Sequence, residues 1–233
     1  MKDQRAYPRR GLHGELVHDI GVRILRGELQ PGDSLAPEWS DQDVSRTVVR
    51  EAVKVLAAKG LIVSRPKTGT HVRERRYWHM LDPDVLAWRL EAEPGDEFYR
   101  NLFEARRLIE PAVAALAATH VSDHEVAELE AAFARMEDSA GSDLDAYVEA
   151  DVRFHELILE GCHNELLTHL GSTLRGVFRA SFTRTRDIAE ETLPLHADVL
   201  AAIRGADDTA AAAAMLSLIE LTAASLSRAG RSG

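Results

Sequence analysis

At 233 residues, 45% hydrophobic and with a formal net charge of -10, the chain is long enough for one large domain or for two unequal ones. No stretch approaches the roughly 18–20 apolar residues needed to span a membrane, and the opening MKDQRAYPRR lacks the apolar core of a signal peptide, so a soluble, cytoplasmic protein without membrane partners is expected. The single cysteine, Cys162, excludes an intrachain disulfide and a thiolate zinc cluster and reads as a small buried hydrophobe.

The charge is unevenly divided. Residues 1–76 carry 15 Lys and Arg against 10 Asp and Glu, and include all four lysines, whereas the remainder carries 13 against 28. A positive module joined to a strongly negative one predicts that only the first meets a polyanion.

In chain order, Leu16, Ile20 and Ile24 recur at four-residue spacing and predict a helix from about Leu12 to Gly27, closed by the turn PGD at 31–33. A poorly patterned segment, APEWSDQD, follows. SRTVVREAVK (45–54) then sets Arg46, Arg50 and Lys54 on one helical face, beside an apolar stripe of Val49, Ala52, Val53 and Leu56. Ser45 is its expected cap and Gly60 its stop. LIVSR (61–65) and THVR (70–73) read as strands around the basic turn PKTG (66–69). Helix, broken helix, helix and hairpin predict a winged helix-turn-helix over residues 1–76.

Residues 74–90, ERRYWHMLDPDVLAWRL, are too aromatic for a free linker, so Tyr77, Trp78 and Trp88 are expected to pack against the second domain. From 77 to 233 the pattern is that of an all-helical bundle, with helices at about 82–92, 96–120, 122–139, 143–162, 164–186, 190–204 and 207–228 and short loops between them. The expected fold is thus mainly α.

Within the bundle, Asp151 and His155 are four residues apart in DVRFHELI and share a helical face, and His196 lies on a separate helix in HADVLAAI. One carboxylate and two imidazoles facing a bundle interior suit a divalent metal; a hydrogen-bonded polar cluster is the alternative the residues leave open. Against a metal-dependent hydrolase, His155-Glu156 is followed by Leu159 where HExxH needs His, and neither GxSxG nor a phosphate-binding glycine loop occurs.

SRTVVREAVKVLAAKGLIVSRPKTGTHV resembles the recognition helix and wing of the GntR family of bacterial transcription regulators along its whole length. The resemblance implies a regulator that binds double-stranded operator DNA through Ser45, Arg46, Thr47 and Arg50 on the helix and Arg65, Lys67, Thr68 and Gly69 on the wing. Between Leu35 and Ser45 the chain is about three residues shorter than the family pattern, with Trp39 where a basic residue is common, which implies a truncated second helix. EARRLIEPAVAALAA, DVRFHELI and HADVLAAI resemble the FCD-type ligand-binding domain of the FadR subfamily. There, Asp151, His155 and His196 match metal ligands for a cation such as Zn, Ni or Mn, but the further histidine of that pattern is Leu218. Arg106 matches an arginine that points into the effector pocket, and Phe182 and Thr192 fall on helices that border it; a surface pair of Arg106 with Glu104 or Glu110, a core Phe182 and a helix-capping Thr192 are the alternatives. YWHMLDPDVLAWRL is similar to regulators of sugar-acid catabolism, galactonate-responsive repressors among them. An aldonate or similar carboxylate effector and a homodimer are the implied partners; a helical domain used only for dimerisation is the competing expectation.

Overall fold

The computed structural model describes residues 11–36 and 45–229. Contacts divide the chain into two compact units between Pro94 and Gly95.

The first unit contains α1 (Gly11–Arg26), α2 (Arg46–Ala58), an antiparallel hairpin of β1 (Ile62–Arg65) and β2 (Gly69–Val72), a 3-10 turn at Arg75–Tyr77 and α3 (Pro83–Glu91). The second helix expected around Trp39 lies outside the described residues. Ser45 caps α2 as anticipated: its backbone is extended and its hydroxyl accepts from the Val48 N–H at 3.4 Å. Gly60 ends it with φ +75°, and a Cβ there would stand 2.1 Å from the Tyr77 carbonyl oxygen, so no side chain fits. The strands pair from Ile62 with Val72 to Arg65 with Gly69. Pro66 followed by Lys67 at φ +71° turns the wing tip in the manner of a type II turn, with a lysine where glycine would be relaxed. His71 secures the wing base, its two ring nitrogens lying 3.2 Å from the Gly32 carbonyl and 2.6 Å from that of Thr68.

The core of this unit joins Leu16, Ile20 and Ile24 of α1 to Ala52 and Leu56 of α2, Leu61, Ile62 and Val72 of the hairpin, and Val85 and Trp88 of α3. This corrects the expected docking of the connector aromatics on the second domain. Trp88 is 4% exposed within the first unit's core, because Gly21 leaves α1 a flat slot: a Cβ there would come within 2.5 Å of the indole. Trp78 packs on the same core and donates its indole N–H to the Arg73 carbonyl at 2.9 Å. Tyr77 stays exposed, with the guanidinium groups of Arg73 and Arg76 4.2 and 5.0 Å from its ring centroid.

Among the described residues the second unit is entirely helical: α4 (Asp96–His120), α5 (Asp123–Ser139), α6 (Leu144–Gly161), α7 (Glu165–Thr185), a 3-10 turn at Arg186–Ile188, α8 (Ala189–Arg204) and α9 (Asp208–Ala229). Polar caps begin three of them: a reciprocal Ser122–Glu125 capping box on α5, Asp143 on α6 and Asn164 on α7. Helix α9 packs chiefly on α4 and α8, and α6 lies against α4, α5 and α7. One expectation fails here. Asp208–Leu226 of α9 is long and apolar enough to cross a membrane by composition, at mean hydropathy 1.5; its alanine run lets it lie close on α4 within the bundle.

Candidate functional site

Two groups of residues carry the chemistry, one in each unit. On α2, Arg46, Thr47 and Arg50 are exposed on the turns that follow the Ser45 cap. Arg50 keeps 72% of its side chain in solvent, with Glu51 3.7 Å away, and Lys54 bonds the same carboxylate at 2.8 Å. On the wing, Arg65, Lys67, Thr68 and Gly69 are all exposed. The cations thus stand where an external anion can reach them, and the first turn of α2 adds N–H groups that favour phosphate.

The other group is buried. Glu110 and Arg106 lie one turn apart on α4, Asp151 and His155 one turn apart on α6, and Thr192 and His196 on α8. Arg106 is 2% exposed; its Nε and Nη2 donate to the two Glu110 oxygens at 2.6 and 3.3 Å, its Nη1 donates to Ser181 Oγ at 3.0 Å, and the Phe182 ring lies 4.8 Å from it. The expected pocket arginine is therefore in place, but an internal carboxylate already holds it. Glu110 also meets His155 Nδ1 at 3.0 Å. Both Nε2 atoms converge on Asp151 Oδ1, from His155 at 3.3 Å and from His196 at 3.2 Å, and His196 Nδ1 lies 2.9 Å from the Thr192 carbonyl.

His155 thus has a carboxylate at each ring nitrogen, whereas a neutral ring carries only one N–H. Two consequences follow. In His155, burial opposes the charged form, but Glu110 and Asp151 override it and push the ring up to about 9. Glu110, which burial would raise, is brought down to about 2 by Arg106 and then His155. Asp151 is held well below the usual carboxylate range by the two histidines, again against burial. The second consequence concerns metal. With each Nδ1 engaged by an acceptor, each Nε2 is turned toward Asp151, and the three donor atoms lie within 4.8 Å of one another. Anchored outer nitrogens with converging inner ones are what a bis-histidine metal site requires, so the residues fit a divalent cation.

The surrounding cavity is lined by Arg106, Tyr147, Asp151, His155, Phe182, Thr185, Thr192, His196, Leu218 and Thr222, and its free space is about 10 Å³, room for one water or ion. All six residues expected around an effector are therefore gathered here, with Leu218 in the wall as the resemblance implied. Sequence reasoning missed Tyr147, Ser181, Thr185 and Thr222, and offered Glu110 only as a surface partner of Arg106, whereas the pair is buried. The Tyr147 hydroxyl donates to Thr192 Oγ1 at 2.8 Å, and Thr192 donates to the Ala189 carbonyl. Burial, then the charge of Asp151, raise Tyr147 well above its ordinary value and keep it a donor. Only Glu110 left a signal, its four-residue spacing from Arg106.

A winged module with exposed cations, followed by a helical unit around a polar cavity, is the architecture of a ligand-responsive transcription regulator. Residues 12–72 match the family "Bacterial regulatory proteins, gntR family" and residues 101–221 match the FCD domain; the chain belongs to the GntR family of DNA-binding transcription regulators. It is 35% identical over 211 residues to the galactonate operon transcriptional repressor of Escherichia coli K12, covering 88% of this chain and 92% of that one. Identity to the Exu regulon transcriptional regulator of the same strain is 32%, over 69% of this chain and 60% of the relative. The solved structure of Lar from Listeria monocytogenes shares the fold at TM-score 0.62 and 20% identity, over 94% of this chain and 98% of that one. The two Escherichia coli relatives are transcriptional regulators.

Proposed function

We propose that this protein is the repressor of a sugar-acid catabolic operon, bound to its operator as a homodimer and released by an aldonate-like carboxylate effector. The observation that carries the reading is the buried meeting of Asp151, His155 and His196 beside Arg106, together with the relation to the galactonate repressor.

Asp151, His155 and His196 would hold a divalent cation such as Zn, Ni or Mn, which supplies a Lewis-acidic point for a carboxylate or hydroxyl oxygen. Charge supports this. With Arg106 cationic and Glu110 and Asp151 anionic, a proton on His155 leaves the cluster neutral. Exchanging that proton for a divalent cation would leave one positive charge, which a carboxylate effector balances. Tyr147, Thr185, Thr192 and Thr222 offer hydroxyl partners for a polyol chain. Leu218 supplies no ligand, so the effector or water would complete the coordination shell of a bound cation.

An ion fits the present cavity and an aldonate does not. Effector binding therefore requires the cavity walls to move apart, and a ligand shifts a conformational equilibrium only through such a difference between states. On the DNA side, Arg46 and Arg50 read or flank the major groove, while Lys67 and its wing neighbours grip the backbone. One module contacts few bases, and two on a symmetric dimer double the contacts and read a pseudo-palindrome.

Calorimetry with a panel of aldonates, with and without added metal, tests the sensor. Binding by the wild type and its loss in His196→Ala are expected. No binding by any aldonate, or binding indifferent to His196, removes the sugar-acid reading and leaves the DNA-binding family assignment untouched. Sedimentation tests assembly, and a monomer at micromolar concentration with and without DNA would contradict the dimer.

A further inference from the structure

Lys59 follows α2 directly and is 8% exposed, an unusual place for a lysine. Its ammonium has three N–H bonds to place, and three carboxylate oxygens meet it: Asp82 Oδ1 at 2.8 Å, Asp82 Oδ2 at 3.0 Å and Asp84 Oδ2 at 2.5 Å. The Trp88 ring closes the remaining side at 5.6 Å. Asp82 is also the N-cap of α3, its Oδ1 accepting from the Asp84 and Val85 N–H groups at 2.9 and 3.2 Å. The backbone repeats the link, since the His79 N–H donates to the Lys59 carbonyl at 3.0 Å. One side chain therefore ties the last turn of α2 to the first turn of α3.

Such a group is poorly explained by stability alone. Apolar replacements of a buried ion pair are often neutral or stabilising, whereas the pair fixes direction and distance in a way that apolar contacts do not. What it fixes here is the helix that presents Arg46 and Arg50. We propose that Lys59 is a positioning residue for operator recognition: by clamping Asp82 and Asp84 it makes α2 and the connector helix α3 one body and sets the angle at which α2 meets DNA. The proposal rests on α2 being the reading helix. With α3 fastened to the winged module, the chain between the two units runs through residues 92–95, where Glu93 adopts φ +52°.

The test uses the full-length chain, an operator selected by the wild type from random duplexes, and a scrambled duplex of equal length at one salt concentration. In Lys59→Met, measured well below its unfolding temperature, operator affinity should fall about tenfold, or about 1.4 kcal/mol. Affinity for the scrambled duplex should hold within about twofold, because a buried ammonium paired with two carboxylates adds little to the phosphate-binding field. Lys59→Arg, whose guanidinium can still engage both carboxylates, should restore the ratio. If Lys59→Met does not fold, Asp84→Asn, which leaves the Asp82 cap intact, decides in its place with a smaller loss of the same kind. A purely structural lysine would leave the ratio of operator to scrambled affinity unchanged, or lower both affinities together, and either result overturns the proposal.

Discussion

Arg50 and Arg106 show opposite uses of one side chain. Arg50 stands 72% exposed with a carboxylate no nearer than 3.7 Å, so its charge remains available to an external anion. Arg106 is 2% exposed, bonded twice to Glu110 and once to Ser181, so its charge first answers to the protein's own interior. A surface cation reports function when removed; a buried one reports stability first, because its partner is left without compensation.

The largest expected effect breaks that comparison on the buried side. Arg106→Ala leaves Glu110 in the interior without its guanidinium and should destabilise the helical unit by about 3–5 kcal/mol, read as a fall in denaturation midpoint. It is consequently a poor probe of ligand binding, and His196→Ala is the better one.

Next comes pH. His155 is raised from 6.5 to about 9, so its contribution is complete below about pH 6.5 and disappears as pH rises through about 9. Glu110 is lowered from 4.5 to about 2, so its contribution is complete above about pH 4.5 and disappears as pH falls through about 2. Stability of metal-free protein should therefore be greatest between about pH 4.5 and 6.5 and decline toward pH 9 by on the order of 1–3 kcal/mol. Equilibrium denaturation in chelator across that range checks it, and a flat profile from pH 6.5 to 9 would show that His155 is neutral in the fold.

Arg50→Ala sharpens the comparison from the exposed side. Operator binding should weaken by about 1–3 kcal/mol with relaxed preference at one base pair, while stability changes by less than about 0.5 kcal/mol. Unchanged binding in a salt-controlled shift assay would refute its role. The smallest effect belongs to the wing tip. Lys67→Gly removes one cation but relaxes a backbone held at φ +71°. Stability should move by no more than about 1 kcal/mol, and the slope of log affinity against log salt should shrink by about 1.

How far each region was legible follows from where its partners lie. The α2 face needs only spacing: Arg46 and Arg50 are one turn apart, and Ser45 and Gly60 mark the ends by local backbone chemistry. Asp151 and His155 were legible for the same reason. Glu110 was visible as the i+4 partner of Arg106, but not as buried, because its burial depends on His155 from another helix. Tyr147, Thr185 and Thr222 reach the cavity, and Ser181 reaches Arg106, only through packing. The connector misled for a related reason: its aromatic residues announce a docking surface without naming it, and the slot for Trp88 is made by Gly21, 67 positions earlier in the chain.

The central claim is that a buried carboxylate-and-imidazole pocket governs a basic DNA-reading surface in the same chain. Linkage makes this a two-sided statement: an effector that weakens operator binding by some factor must itself bind more weakly, by the same factor, when operator is present. The most direct measurement titrates galactonate into the zinc-loaded protein with and without saturating operator, and operator into the protein with and without saturating galactonate. Equal reductions in both affinities, absent in His196→Ala, are predicted. Galactonate binding that is indifferent to operator, with operator affinity unmoved by galactonate, would contradict the account.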